Sequence, residues 1–431
     1  MAEYKSSSKP FDIAVVGGGI GGVALAIGLI HQNVPVTLYE SAPAFGEIGA
    51  GVSFGPNAQR TMSLIDPKIE EGFNNVATRN LWKSKENYWF TFRYGQDTKD
   101  GKNKVGDIIT ELSCPPSGQN SVHRAHFLDQ MVHILPDEVS QFGKRLEEVE
   151  DKGDHVVLHF LDGSTAKHSA VIGCDGIKSR TRQLVLGKDN PVAHAQYSHT
   201  YAYRGLVPMD EAIKELGEEQ AANSQMYLGY DAHLLTFPIE KGKTMNVVAF
   251  RTKFDHEWKS DQWVVGMERE DMYKDFENFG DSVKKILSMM QKPDTWALFH
   301  HEPPAPIYYK GHICLLGDAA HATTPHCGAG AGMAIEDAYV LSNVLAKVKD
   351  SRELESAFKA YDEVRRPRSQ RLVKASRENC MLYEFQLQEL QDDKEKLRQT
   401  LDTRMRWIWE EDEERHCAKA VERFDELVGR K

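Results

Sequence analysis

The apolar and polar positions change period several times along the chain. Ile13 to Val16 is a short apolar run that leads into Gly17, Gly19 and Gly22, and then into a second apolar stretch, Val23 to Ile30. A third run ends at Glu40, so Phe11–Glu40 reads as strand, glycine turn, helix and strand. The run His312–Val348 repeats the theme. Ile313–Leu316 predicts a strand closed by Gly317-Asp318, and glycines 328, 330 and 332 precede a helix starting near Met333, with Glu336 and Asp337 as dipole partners in its first turn. Between Tyr197 and Phe250 the period falls to two. YAYRGLV, MYLGYDAHLLTFPI and TMNVVAF alternate as antiparallel-type strands, and the aromatic segment Trp82–Phe92 does the same. A stripe of Met272, Phe276, Phe279, Val283, Ile286 and Leu287 predicts a helix over Asp271–Met290 that covers this second sheet.

Other elements follow from local signals. Ser121 is the expected N-cap of a helix to Leu135, with Phe127, Leu128, Met131 and Leu135 on one face. Val156–Phe160, the segment after LDGST, and Ala170–Gly176 predict three strands, the last ending in Asp175-Gly176 before Ser179 and the basic Arg182. Glycines 46, 49, 51 and 55 predict a loop over Phe45–Ile65, and Asp97–Lys104 is polar enough to be another. Beyond Pro367 the chain reads as charged helix. The stripe of Tyr383, Leu387, Leu390, Leu397, Leu401 and Ile408, broken by Lys394 and Arg404, favours docking on the body of the protein over a dimeric coiled coil.

Gly17, Gly19 and Gly22 have the spacing G-x-G-x-x-G. One glycine permits the tight turn, one lets the backbone approach a pyrophosphate, and one lets helix and strand pack closely. The freed N–H groups and the helix dipole favour negative charge. Glu40, eighteen residues beyond Gly22, suits a ribose with a free 2′-OH, which means FAD or NAD. Arg124, in the first turn of its helix, opposes the helix dipole, so it is held by a phosphate or carboxylate or else is solvated. Over Ile13–Ile30 the glycines argue for a turn rather than a membrane span.

At 431 residues the chain has room for two or three domains, and a formal charge of −11 disfavours nucleic acid and anionic membranes. Six dispersed cysteines without a C-x-x-C pair indicate neither a disulfide scaffold nor a zinc site, and His321 with His326 lacks a convincing third ligand, so no metal is expected. No signal core stands in MAEYKSSSKP and no peroxisomal address in Gly-Arg-Lys, so the expected location is cytoplasmic.

GGGIGG with Glu40, then CDGIKSRTR, then GDAAHATTP closely resemble the class A flavin-dependent aromatic hydroxylases over roughly Phe11–Pro367. The resemblance implies an α/β fold. A Rossmann-type FAD-binding domain (1–78, 105–186, 304–370) would interleave with a smaller sheet-plus-helix substrate domain (79–104, 187–303), followed by a C-terminal helical segment (371–431). It implies noncovalent FAD, transient use of NADH or NADPH, and O2. Carried over, Glu40 serves the FAD ribose, Arg124 the phosphate region and Asp318 the ribityl chain, while Ser53 and Ala331 touch the flavin near Gly330. Asp175 and Gly176 resemble a segment that serves both FAD and the nicotinamide cofactor.

Within the family, MYLGYDAHLLTFPIEKGKTMNVVAF and TPHCGAGAGMAIEDAYVL look most like salicylate 1-monooxygenase. Met226, Leu235 and Phe237 then become substrate contacts. Related dearomatases of fungal polyketide-type phenols are expected to carry tyrosine where Phe237 stands, and Cys327 replaces the usual glutamine or histidine. The implied chemistry is hydroxylation of a phenolic acid through a flavin C4a-hydroperoxide, with loss of the carboxylate; a dearomatase or a degenerate flavin-binding protein is the alternative. Such chemistry needs a dry pocket, an ionised phenol and a cation for the acid. His326 is the first candidate base, His233 the second if its strand lines the pocket, and Arg204 the candidate cation. The partners expected are the small acid and O2, with the chain a monomer or homodimer.

Overall fold

The computed structural model describes residues 9–46 and 51–430. Four-residue strands Ile13–Val16 and Ala170–Gly173 are buried along their whole length, and Val36–Tyr39 nearly so, as expected for a parallel sheet covered on both faces. The sheet runs in the order Tyr309–Lys310, Ile313–Leu315, Ala170–Gly173, Ile13–Val16, Val36–Tyr39, Ser140–Gln141. All neighbours pair parallel except the first two. Helix Ile20–His31 packs against helix Gly330–Lys347, and Gly28 makes room: a Cβ there would lie 2.8 Å from Ser342 Oγ.

A second sheet of eight strands runs Val264–Gly266, Gln291–His300, Gln196–Pro208, Thr244–Thr252, Ala232–Ile239, Gln225–Leu228, Tyr88–Tyr94, Ile108–Ser113. It is antiparallel except between Gln225–Leu228 and Tyr88–Tyr94. Because strand side chains alternate, its two faces do different things. Tyr201, Tyr203, Met245, Val247 and Ala249 join Phe276 and Ile286 in a core under helices Met209–Leu216, Arg269–Asp275 and Asp281–Met289. Ala202, Arg204, Val248 and Phe250 face a large cavity between the two sheets.

Several local expectations change. Ser121 is no N-cap: it lies in strand Asn120–His123 and donates its hydroxyl to the carbonyls of Thr78 and Pro238, while the helix runs Arg124–Val132. The loop expected over Phe45–Ile65 contains strand Gly51–Phe54 and helix Pro56–Ile65; Gly49 lies outside the described residues. The strand expected from Trp82 begins at Tyr88, after a short 3-10 turn. Asp271–Met290 is two helices, broken around Phe279 and Gly280, where a glycine Cβ would meet Val105 at 2.2 Å. Helix Gly330–Lys347 starts three residues before Met333 and takes in two of the three glycines.

Pro367 sits inside a 30-residue helix, Leu354–Tyr383, which continues through residue 370. The expected stripe is not one helix: Tyr383 ends Leu354–Tyr383, Leu387 and Leu390 lie outside any helix, Leu397 and Leu401 fall in Lys394–Arg404, and Ile408 in Arg406–Trp409. Leu397, Leu401, Met405 and Ile408 pack with Trp89, Phe92, Ile109 and Leu112, so these two helices dock on the chain's own second sheet, while the last helix, Glu413–Leu427, buries Cys417, Ala420 and Phe424 in the core around the first sheet.

Candidate active site

A cavity of about 1200 Å³ runs from the glycine turn to the inner face of the second sheet. That exceeds what one drug-sized ligand requires and has room for a dinucleotide and a small ring together. At one end, Gly17 has φ +110°, and a Cβ on Gly22 would stand 1.9 Å from Gly17 O. Gly19 caps helix Ile20–His31 without a side-chain bond, leaving its first N–H groups available to an anion. Glu40 closes the turn: Oε2 accepts the Gly18 N–H at 2.7 Å and Oε1 the Ala42 N–H at 2.7 Å. A carboxylate has further lone pairs for a ribose diol.

A second open helix start faces the same space. Helix Gly330–Lys347 has no side-chain cap and no acid in its first turn, and Gly330 and Ala331 line the cavity. Asp318, exposed to the cavity after Gly317 (φ +62°), has no protein partner among the described residues. Arg124 lines the cavity from the first residue of its helix. Ser53 also lines it, its Oγ accepting from Gln119 Nε2 at 2.7 Å. Two uncapped helix starts, a close-approach turn and an unmatched carboxylate fit FAD.

Asp175 behaves differently from its neighbours on the rim. Its carboxylate accepts from Ser179 Oγ at 2.5 Å and from the Thr181 N–H at 2.9 Å, so both oxygens are engaged in capping the next helix. Gly176 stays open, with φ +76°. Arg182 is fully buried and donates to the carbonyls of Ala319, Ala320 and Val192, tying this segment to the Asp318 turn.

At the other end, Met226, Leu235, Phe237, Phe250 and Leu298 form an apolar wall. Arg204 projects from it with Cζ 4.7 Å from the Trp296 ring centre. No described carboxylate pairs with it, its Nε has no described partner, and burial, reinforced by the nearby Arg124, pushes its pKa down to about 10. His326 lines the same cavity. Neither ring nitrogen has a described partner, and burial, with His233 and His300 adding to it, holds the ring well below the usual histidine range.

His233 is not on the cavity wall. It lies behind Phe250, stacked on it at 4.5 Å and 10°, with Nδ1 3.0 Å from Glu384 Oε1. The alternation of its strand turns Leu235 and Phe237 toward the cavity, but Phe250 on the neighbouring strand covers the His233 ring. Sequence reasoning also missed Trp296 and Leu298 because strand Gln291–His300 went unread, although W-A-L-F is a continuous apolar run of strand length.

Glu336 and Asp337 are not surface dipole partners. Both are fully buried: Glu336 meets Arg365, Arg368 and Asn57, and Asp337 meets Arg365 and His321. Burial opposes their ionisation, but for Glu336 the arginines and for Asp337 His321 and Arg365 outweigh it, and each is held at about 2.

A family model described as FAD binding domain matches residues 10–376. The chain is 40% identical over 426 residues to the 6-methylsalicylate 1-monooxygenase of Aspergillus terreus, covering 98% of this chain and 94% of that one. It is also 40% identical over 434 residues to a salicylate hydroxylase of Pseudomonas putida, covering 97% of each. A solved salicylate hydroxylase substrate complex superposes with a TM-score of 0.87 at 36% identity, covering 96% of this chain and 99% of that one. No helix among the described residues is long and apolar enough to cross a membrane.

Proposed function

This chain belongs to the FAD binding domain family and is an FAD-dependent monooxygenase; from that premise we propose that it hydroxylates a small phenolic acid of the salicylate type at the carbon bearing the carboxylate. The observation that carries the reading is Arg204, a half-buried arginine whose Nε is buried without a described partner, on an apolar wall it shares with His326. A cation in such surroundings calls for an anionic partner, and a planar carboxylate or phenolate matches its fork. The substrates named for the relatives are of that chemistry.

In this reading Gly17, Gly19 and Gly22 admit the FAD pyrophosphate, Glu40 holds the ribose and Asp318 the ribityl chain. Ser53, Arg124, Gly330 and Ala331 border the flavin, and Gly176 leaves the rim open for the nicotinamide donor. The two-domain division with a C-terminal helical segment goes with it, the cavity lying between the two sheets. Bound FAD supplies the redox chemistry, passing two electrons from NADH or NADPH to O2. The protein's share is placement, exclusion of water and proton handling. Arg204 orients the acid, Met226, Leu235 and Phe237 keep the ring dry, and His326, uncharged through burial, accepts the phenolic proton.

Ionisation makes the adjacent ring carbon electron-rich, and departure of the carboxylate restores aromaticity. The balance is salicylate, O2, NAD(P)H and two protons giving catechol, CO2, NAD(P)+ and water. Phe237, an apolar side chain on the wall, offers no phenol to a dearomatised product. The test supplies salicylate or 4-hydroxybenzoate with saturating NADH or NADPH, and follows product, CO2 and peroxide. Catechol or hydroquinone with stoichiometric CO2 is expected. A product that keeps its carboxylate, or turnover of neither acid, overturns the assignment.

A further inference from the structure

His326 lines the cavity as a proton acceptor should, yet it lacks the usual means of being aimed. Where a histidine handles a proton, a third group bonded to its other ring nitrogen commonly fixes the ring. Here neither nitrogen has a hydrogen-bond partner among the described residues. The ring rests against Phe250, with centres 4.9 Å apart, and otherwise takes its direction from the backbone that carries it. That backbone is the single 3-10 turn Pro325–Cys327, which ends at Gly328 in the left-handed region, φ +58°.

The turn is gripped from outside. Asn379 Nδ2 donates to the His326 carbonyl at 3.3 Å, and the Tyr383 hydroxyl donates to the same oxygen at 3.2 Å. The two donors stand four residues apart at the C-terminal end of helix Leu354–Tyr383, so they share one helix face. Asn379 Nδ2 also lies 3.3 Å from Cys327 Sγ and 3.6 Å from Met405 Sδ, which ties the turn to the C-terminal helices. The amide has one workable orientation, because turning it over would set Oδ1 against the carbonyl oxygen. Asn379 is completely buried, and its Oδ1 has no partner among the described residues. A leucine of similar size would avoid that desolvation, so packing alone does not explain an asparagine here.

We propose that Asn379 and Tyr383 are positioning residues that aim His326 at the phenol by clamping its carbonyl. The proposal rests on the phenolic-acid reading above. A peptide unit is planar, so two donors converging on its oxygen fix the plane that follows His326, and with it the direction in which the side chain leaves the backbone. Aiming the ring through its carbonyl leaves both ring nitrogens unbonded. His326 can then accept the phenolic proton without first breaking a hydrogen bond to the protein. Tyr383 borders the cavity whereas Asn379 does not, so Asn379 can act on the reaction only through the turn.

The test compares Asn379→Leu in two backgrounds, as holoenzyme with salicylate and saturating NADH or NADPH. In the otherwise native chain, coupled catechol formation is expected to fall at least tenfold, since a misplacement of about 1 Å can cost 100-fold. The KM for salicylate should stay within threefold and the share of peroxide should rise. In a His326→Ala background the same substitution is expected to change the rate less than twofold, because no ring is left to aim. A merely structural role lowers both backgrounds by the same factor; that result, or a native rate for Asn379→Leu, overturns the clamp. Should Asn379→Leu fail to hold FAD, Tyr383→Phe, which removes only a hydroxyl, is expected to lose about threefold with the same dependence on His326, and equal losses in both backgrounds overturn the proposal.

A second readout needs no turnover. With 15N-labelled histidine, the His326 ring signals, identified by their absence in His326→Ala, are expected to shift or broaden in Asn379→Leu. Unchanged signals overturn the clamp. If the native chain turns over neither salicylate nor 4-hydroxybenzoate while the His326 signals move, the clamp stands and the phenolic-acid reading falls.

Discussion

Two buried polar groupings stand on either side of the glycine turn that opens helix Gly330–Lys347. On one side Glu336, Asp337, Arg365 and Arg368 bond one another: Arg365 bonds both acids while its Nη1 has no partner among the described residues, Arg368 grips Glu336 with two nitrogens, and Asn57 and His321 take further positions. On the other side His326 is buried and Arg204 half-buried in the cavity wall, and Arg204 Nε and both His326 ring nitrogens lack partners among the described residues. The two places differ in burial and in who completes the bonds. Where the protein completes them, the cluster locks elements together: Asp337 also accepts the Gly317 N–H at 3.3 Å, fixing the turn before Asp318. Where the protein leaves them open, the side chains border the cavity, where the proposed phenolic acid would meet them.

The comparison predicts opposite outcomes for arginine removal. Arg365→Met takes one partner from each of two buried carboxylates and is expected to destabilise the fold by about 3–5 kcal/mol, measured by denaturant unfolding of the holoenzyme. Arg204→Met removes a half-buried cation with no described carboxylate partner and is expected to leave stability within about 1 kcal/mol of wild type or above it. The same change should weaken substrate capture by about 2–3 kcal/mol, read as kcat/KM with salicylate. An Arg204 variant as unstable as the Arg365 variant would erase the distinction between the two clusters.

Acid sharpens it further. Glu336 and Asp337 are depressed to about 2 from ordinary values of 4.5 and 3.8, so their stabilisation is present above pH 4.5 and lost as pH falls toward 2. The apparent melting temperature should fall steeply across that window, and Arg365→Met should flatten the slope.

Glu413 is the cluster's imperfect member and gives the smallest effect. Its oxygens have no hydrogen-bond partner among the described residues, and burial, with Glu336 next, raises its carboxyl to about 9. A raised acid stabilises below its unfolded value and loses that contribution as pH climbs through 9. Glu413→Gln is therefore expected to gain about 1 kcal/mol at pH 8 and nothing at pH 4, a difference visible in paired thermal melts.

Local sequence was sufficient wherever neighbouring residues reach the cavity together. Gly17, Gly19, Gly22 and Glu40 belong to one strand–turn–helix–strand unit, and the chain that spaces them also delivers them to one end of the cavity. The alternation that put Arg204 and Phe237 on strands likewise set the side of the sheet they occupy, because strand side chains repeat every two residues. His326 was legible for a similar reason, standing in the loop that leads directly into the helix facing the cavity.

Tertiary structure decided what depends on partners far along the chain. Ser121 looked like a helix cap until Thr78 and Pro238 supplied carbonyls, and Glu336 and Asp337 looked like first-turn dipole partners until Arg365 and Arg368 reached them. His233 had a strand position compatible with the cavity wall, but Phe250 from the next strand and Glu384, just past the end of a helix more than a hundred residues later, placed it behind that wall. Periodicity and glycine spacing are properties of consecutive residues, and they determined the elements and the cofactor turn. Whether a buried charge meets a protein partner or a ligand depends on which distant elements pack against it, and no local pattern carries that information.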